Sequence, residues 1–300
     1  MKLSLMLLSL TFPLFMDPGF VPKKDADIKE YEKLLKMVSK AGYKAVDITN
    51  QELDFWGADR VKELLDKYDL KCSSIILFEN FAALKEEIKK EVQNHSKKII
   101  DDAVEMDCKI LMVVQMGYNP GQTKKEMQKG IIDSFTLLCS YAKDKNVYIC
   151  AEDFPSLDIP MCSVKDIDVL MEQVEGLRLV YDNGNMLVEG EDPMAYYERY
   201  KDRIGYYHVK EVFVVEKEQL QIFTNQGYYL GDKMYDGKYM LPTIHGKGIL
   251  DIKGLLHRLK EEHYEGYISV EYSVGPLDDN NHEKNIVETK ALFEMYLNEA

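Results

Sequence analysis

The chain has 300 residues, 46% of them hydrophobic and 30% charged, and a formal net charge of −14. Its length and apolar content suit a large core within the range of a single α/β barrel, while the acidic balance excludes a nucleic-acid footprint and disfavours adsorption to an anionic membrane. No stretch of about 18 uninterrupted apolar residues occurs, so no membrane-spanning helix is expected.

Met1-Lys2 followed by Leu3–Leu10 has the charge and apolar run of a short signal peptide, but Pro13 interrupts the run, Asp17 follows, and no Ala-x-Ala pattern closes it. The same run reads as the first of eight strands. The others are Lys44–Thr49, Lys71–Leu77, Lys109–Gln115, Val147–Glu152, Leu177–Asp182, Ile204–Val209 and Tyr267–Tyr272. They are dense in Ile, Val, Leu and Tyr with little alternation, the pattern of parallel strands buried on both faces. Between them lie helical patterns, beginning with Asp25–Ala41, where Ile28, Tyr31, Leu34, Leu35 and Val38 form one stripe. Ala58–Tyr68, Lys85–Met106, Thr123–Lys145, Val164–Val174, Pro193–Lys201, Ile252–Glu262 and Glu283–Leu297 follow. Eight strands, each with its helix, are the count of a closed (β/α)8 TIM barrel, so the α/β chain is expected to form a single domain over 1–300. Discarding residues 1–20 as a signal would leave seven strands and open edges. The first run is therefore expected to be structural, and the protein cytoplasmic.

Val212–His245 breaks the rhythm, because a βα loop usually takes about 2–6 residues. Its Gly-Asp and Asp-Gly punctuation predicts one or two hairpins on the C-terminal rim, serving as a decoration, a dimer contact or a substrate lid. Five cysteines (Cys72, Cys108, Cys139, Cys150, Cys162) show no CxxC spacing and read as buried free thiols of a reducing compartment.

Four polar endings close consecutive apolar strands: Ala151-Glu152-Asp153, Asp182-Asn183-Gly184-Asn185, His208-Val209-Lys210-Glu211 and Glu271-Tyr272. Singly, each has an ordinary reading as a solvated turn residue, a cap or a hydrogen-bonded core histidine. Strands five to eight are neighbours, however, and their ends converge on a barrel axis. Three carboxylates and an imidazole meeting there repel one another unless a cation joins them. Oxygen donors with one nitrogen suit Mn²⁺, Mg²⁺ or Co²⁺ better than structural zinc. Other candidates are single residues. Trp56, in the loop after strand two, offers a ring for sugar stacking or core packing. Lys210 and Lys247 are candidate contacts to a phosphate or enediolate oxygen, although no glycine-rich phosphate loop accompanies them and an unphosphorylated sugar or polyol is favoured.

These endings resemble the xylose isomerase-like barrel superfamily of sugar isomerases and epimerases. Gly42-Tyr43-Lys44-Ala45-Val46-Asp47-Ile48 is similar to the family's Gly-aromatic-x-x-Val-Glu second strand, Leu70-Lys71-Cys72-Ser73-Ser74 to its third, and His208-Val209-Lys210-Glu211 to its His-x-Lys-Asp. Gly246-Lys247-Gly248-Ile249-Leu250-Asp251 and Gly266-Tyr267-Ile268-Ser269-Val270-Glu271 match its closing section. The resemblance implies that Glu152, Asp182, His208 and Glu271 ligate one divalent metal, Mn²⁺ first, with Mg²⁺, Co²⁺ or Zn²⁺ as alternatives. It further implies that Glu152 and Glu271 are catalytic and move a proton through a metal-stabilised cis-enediolate on a ketose or related carbonyl compound. Asp158 matches an acidic substrate contact of some epimerases. The chain departs from the family at Asn185 and Gln115, where histidine is common and which are read as substrate contacts here, and at Val214, where some epimerases carry arginine. Isomerase or epimerase is therefore the first expectation. An inosose dehydratase-like lyase is the second, and a non-catalytic sugar-binding barrel the third. The endonuclease members of the superfamily need more rim histidines and a basic surface. A homo-oligomer is expected from the resemblance only.

Overall fold

The apolar runs form eight parallel strands, Lys2–Met6, Ala45–Thr49, Lys71–Glu79, Ile110–Gln115, Tyr148–Glu152, Arg178–Asp182, Ile204–Val209 and Tyr267–Val270, numbered here one to eight in chain order. Each pairs with its neighbours in sequence, and strand one pairs with both strand two and strand eight, closing a (β/α)8 barrel. The computed structural model describes residues 1–17, 21–83, 85–116, 121–225 and 234–299.

Strand one is shorter than its apolar run. It stops at Met6, and Leu8–Phe15 turns into a helix that buries Leu10, Thr11 and Phe15 and carries Pro13 inside it. A continuous apolar run has no period to mark such a switch. The other predicted helices form with trimmed ends: Ile28–Lys40, Ala58–Lys67, Glu86–Glu105, Lys124–Ala142, Val164–Gln173, Pro193–Tyr200, Ile252–Glu261 and His282–Glu299. Their starts are set by side-chain caps at Asp27, Thr123, Ser163, Asp192 and Asp251, which satisfy amide groups that have no partner inside the helix. Asn50–Trp56 is a further helix, unforeseen in the sequence, opened by a capping box between Thr49 and Glu52.

Two apolar layers hold the barrel. The outer layer lies between strands and helices, and the inner one fills the barrel with Met6, Ile76, Met112, Val114, Cys150, Val180 and Tyr206. Strand two shifts register between Val46 and Asp47, and strand six between Leu179 and Val180. Such bulges re-aim the side chains that follow them.

The excursion after strand seven is a three-stranded antiparallel sheet of Val212–Val215, Lys238–Pro242 and Met234–Tyr235, with the middle strand second in sequence order of its hairpin. Asp236-Gly237 takes positive φ at both residues, the geometry of a tight hairpin turn. The sheet also carries a helix, Lys217–Asn225, which buries no side chain and which the hairpin reading missed. Residues 226–233 of the predicted insertion lie outside the described residues. The excursion's two ends meet, with Val212 opposite Pro242 and the Thr243 amide donating to the Glu211 carbonyl at 3.2 Å. All five cysteines are free thiols. Among the described residues, no helix is long and apolar enough to cross a membrane.

Candidate metal centre

The polar endings of strands five to eight meet. Glu152, Asp182, His208 and Glu271 each offer one donor atom, and these atoms lie within 4.8 Å of one another. Glu152 and Asp182 are the last residues of their strands, while His208 lies inside strand seven, level with Asp182 and Ser269. Glu271 falls one residue beyond strand eight rather than inside it, its amide tied to the Val209 carbonyl at 2.9 Å. His208 and Asp182 are fully buried and Glu152 is nearly so.

Few protein groups satisfy these donors. His208 Nδ1 faces Glu152 Oε1 at 3.1 Å and Glu271 Oε2 at 3.6 Å. Asp182 Oδ1 accepts the amides of Gly184 and Asn185 at 2.8 and 2.7 Å, which leaves Oδ2 turned to the Lys210 ammonium at 3.3 Å. Glu152 Oε1, Asp182 Oδ2 and His208 Nδ1 are buried without a hydrogen-bond partner. Like charges this close repel by roughly 3–4 kcal/mol per pair at an effective dielectric of about 20, so the group needs positive charge. Lys210 supplies some of it, with Nζ 3.0 Å from Glu271 Oε1 and 2.9 Å from Asn185 Oδ1. Its aliphatic stem crosses Gly184, where a Cβ would stand 3.1 Å from Lys210 Cδ and 3.2 Å from Leu250 Cδ1. A side chain at 184 would make both neighbours yield by a few tenths of an ångström.

The electrostatics record the same tension. Burial pushes Asp182 up to about 7, against the pull of Lys210. Burial also works to raise Glu271, but Lys210 and His208 hold it well below the usual carboxylate range. Burial works to lower His208, yet Glu152, Asp47 and Glu271 hold its imidazole well above its ordinary value. Asp153, next to Glu152, is fully buried with neither carboxylate oxygen hydrogen-bonded. Burial, then Asp182 and Glu152, raise its pKa well above the ordinary range.

The donor chemistry fits one divalent cation. Three carboxylates, one imidazole and several buried atoms lacking partners form an oxygen-rich set of the kind that Mn²⁺, Mg²⁺ or Co²⁺ takes.

The other candidate residues fall differently. Asn185 opens the turn after strand six and spends both ends of its amide on the protein, donating to the Asp153 carbonyl at 2.8 Å and accepting from Lys210. Gln115, at the end of strand four, accepts from the Phe81 amide at 2.9 Å and donates to Asn80 and the Met116 carbonyl. Trp56 is not in a loop: it ends the Asn50–Trp56 helix and packs on Tyr31, Phe15 and Phe55 at ring separations of 4.8, 5.5 and 6.3 Å. Asp158 is exposed in the loop after strand five, and Val214 pairs with Met240 in the excursion. Lys247 binds Asp278 at 2.9 Å, and the backbone around it is not an anion cradle. Glu211 takes the amides of Gly246 and Leu250 at 3.2 and 3.1 Å, and a Cβ on Gly248 would run into its carboxylate.

Three residues of the centre were not singled out in the sequence. Asn183 exchanges both backbone hydrogen bonds of Lys210 through its side chain, at 2.8 and 3.2 Å, and so joins the ends of strands six and seven. Glu211 is the second. The third, Asp47 on strand two, is fully buried with Oδ2 3.3 Å from His208 Nε2. Its apolar surroundings, Ala45-Val46 and Ile48, were a signal of the same kind that marked Glu271.

A family model described as a xylose isomerase-like TIM barrel matches residues 35–294. An inosose dehydratase of Clostridium beijerinckii is 26% identical over 264 residues, covering 82% of this chain and 83% of the relative. The structure of a D-psicose 3-epimerase from Clostridium cellulolyticum H10, crystallised with D-tagatose, superposes with a TM-score of 0.72 at 13% identity, covering 99% of both chains. That of an IolI protein with a bound zinc atom gives 0.70 at 17%, covering 100% of this chain and 99% of the other. At these identities the solved structures speak for the fold alone.

Proposed function

This chain belongs to the xylose isomerase-like TIM barrel family, and from that premise we propose that it is a divalent-metal-dependent enzyme that removes the proton next to the carbonyl of a polyhydroxy ketone. The observation that carries the reading is the convergence of Glu152, Asp182, His208 and Glu271, with Glu152 Oε1, Asp182 Oδ2 and His208 Nδ1 buried without a hydrogen-bond partner. A cation held by those four residues supplies Lewis acidity toward the carbonyl and adjacent hydroxyl oxygens of the substrate.

Glu152 takes the carbon-bound proton, and Glu271, beside the Lys210 ammonium, governs where a proton is delivered. Delivery to the hydroxyl on the β-carbon expels it as water and leaves a carbon–carbon double bond. Delivery back to the same carbon from the other face inverts that centre, and delivery to the former carbonyl carbon shifts the carbonyl. The first outcome, dehydration of a keto-polyol, is the favoured reading, because the inosose dehydratase likeness spans over four-fifths of both chains at 26% identity. This reverses the order expected from the resemblance, where isomerisation came first. Epimerisation is the second reading, because the same two carboxylates can return the proton to carbon. Manganese remains the expected metal.

Incubation of the Mn²⁺-loaded protein with keto-inositols and ketohexoses in heavy water tests both. A product lighter by one water supports dehydration, and a substrate-mass product carrying one solvent deuterium supports epimerisation. Ligand-induced stabilisation with no deuterium exchange and no water loss would overturn the enzyme reading in favour of a sugar-binding barrel.

A further inference from the structure

Beneath His208 the barrel interior carries a polar layer that the proton-transfer scheme does not use. Asp47 sits there, fully buried, just after the register shift of strand two. Its Oδ1 accepts three hydroxyls from three strands: Ser4 at 3.1 Å, Ser73 at 2.6 Å and Tyr206 at 2.5 Å. Ser4 and Ser73 also touch each other. All three donors crowd one oxygen, which restrains the carboxylate, and Oδ2 faces His208 Nε2 at 3.3 Å, with the Ser269 hydroxyl also beside the carboxylate. The opposite ring nitrogen, Nδ1, is the one aimed at Glu152 and Glu271.

We infer that Asp47, locked by Ser4, Ser73 and Tyr206, is the positioning residue of the metal centre: it accepts the Nε2–H of His208 and so presents Nδ1 as the bare ligand nitrogen. The inference rests on the metal reading above. An imidazole has two tautomers, and only one leaves Nδ1 with a free lone pair. A carboxylate can only accept at Nε2, so it selects that tautomer and holds the ring plane. Outer partners of this kind typically contribute about 10–100-fold in metal affinity. Asp47 touches neither the proposed cation position nor a substrate, so it acts wholly through His208.

The experiment measures Co²⁺ binding by chelator competition and by visible absorption in wild type, Asp47→Asn and the double variant Ser4→Ala/Ser73→Ala. Asparagine keeps the volume but can turn an N–H toward Nε2. The expected result is a roughly 10–100-fold weaker affinity and an altered Co²⁺ spectrum for Asp47→Asn, with a smaller loss for the serine pair, whose carboxylate remains but is less constrained. In zinc-loaded wild type, long-range ¹H–¹⁵N spectra should show His208 protonated at Nε2. Affinity within about twofold of wild type in both variants, or a proton on Nδ1 in the loaded protein, would overturn the inference. If Asp47→Asn does not fold, the serine pair and the tautomer spectrum decide alone. Absence of Co²⁺ binding by wild type would instead overturn the metal reading itself, which keeps the two failures apart.

Discussion

Along strands two to four, most polar groups at the C-terminal rim are matched by other protein groups, although Glu52 keeps one buried oxygen, Oε1, without a hydrogen bond. Thr49 and Glu52 close a capping box, the Gln115 amide serves the loop after strand three, and Glu79, at the end of that strand, binds His95 Nδ1 at 2.5 Å while Asp54 binds Nε2 at 2.9 Å. Along strands five to eight, Glu152, Asp182 and His208 are buried too, and each keeps a donor atom with no hydrogen bond that converges with the others on one point. The lesson is that polarity at a barrel mouth does not mark a site. What marks one is polarity left unsatisfied where several strands converge, since such groups cost stability until something fills the gap. The Asp54–His95–Glu79 group makes the contrast sharp. It has two carboxylates and an imidazole, but they grip opposite nitrogens of one ring and do not converge on a common point.

The comparison can be broken most forcefully at Glu152. Glu152→Gln should lower turnover by on the order of 10²–10⁴ while thermal stability stays near wild type, and a variant with full activity in the heavy-water assay would remove Glu152 from the chemistry. Lys210→Met comes next. It withdraws the ammonium from Asp182 and Glu271, so the metal-free protein should lose roughly 3–5 kcal/mol. Added Mn²⁺ should restore more stability than in wild type, as melts with and without the ion would read. An equal Mn²⁺-induced shift in both proteins would show that Lys210 does not compensate the cluster. On the satisfied half, Gln115→Ala should cost about 1–3 kcal/mol in chemical denaturation and leave Co²⁺ affinity unchanged. A change in affinity would erase the boundary between the halves.

A pH-dependent effect concerns His95. Hydrogen bonds to Asp54 and Glu79 push its imidazole up to about 10 from an ordinary 6.5. The folded state therefore holds this proton more tightly than the unfolded chain. The stabilisation is complete below about pH 6.5 and disappears as pH rises through about 10. Stability of wild type relative to His95→Gln should fall across that window, and a flat difference would show that the trio is not ionic.

Much of this was legible in the sequence because buried parallel strands write long apolar runs, and a charged residue that ends or enters such a run stands out. Glu152, Asp182, His208 and Glu271 were visible for that reason. Strand one was overrun to Leu10 because Leu7–Leu10 is equally apolar as strand or helix. Asp47 enters an apolar run in the same way, but the register shift beside it, which sets its aim toward His208, has no single-sequence pattern. The partners that occupy Asn185 and Gln115 were equally hidden. An amide's two ends name no partner until the chain is folded, so residues read as reaching for substrate are engaged with Asp153, Lys210, Phe81 and Met116.

Glu211 has a consequence for how this chain can be altered. Its carboxylate gathers Gly246 and Leu250, and its carbonyl receives Thr243, so the excursion leaves and re-enters the barrel at one clasped stem. To strands seven and eight the excursion is therefore equivalent to a short crossing. The Lys217–Asn225 helix, which buries no side chain, is open to exchange or shortening without retuning the ends that carry His208 and Glu271, provided the clasp is kept along with Tyr235, which packs on the turn after Asp182.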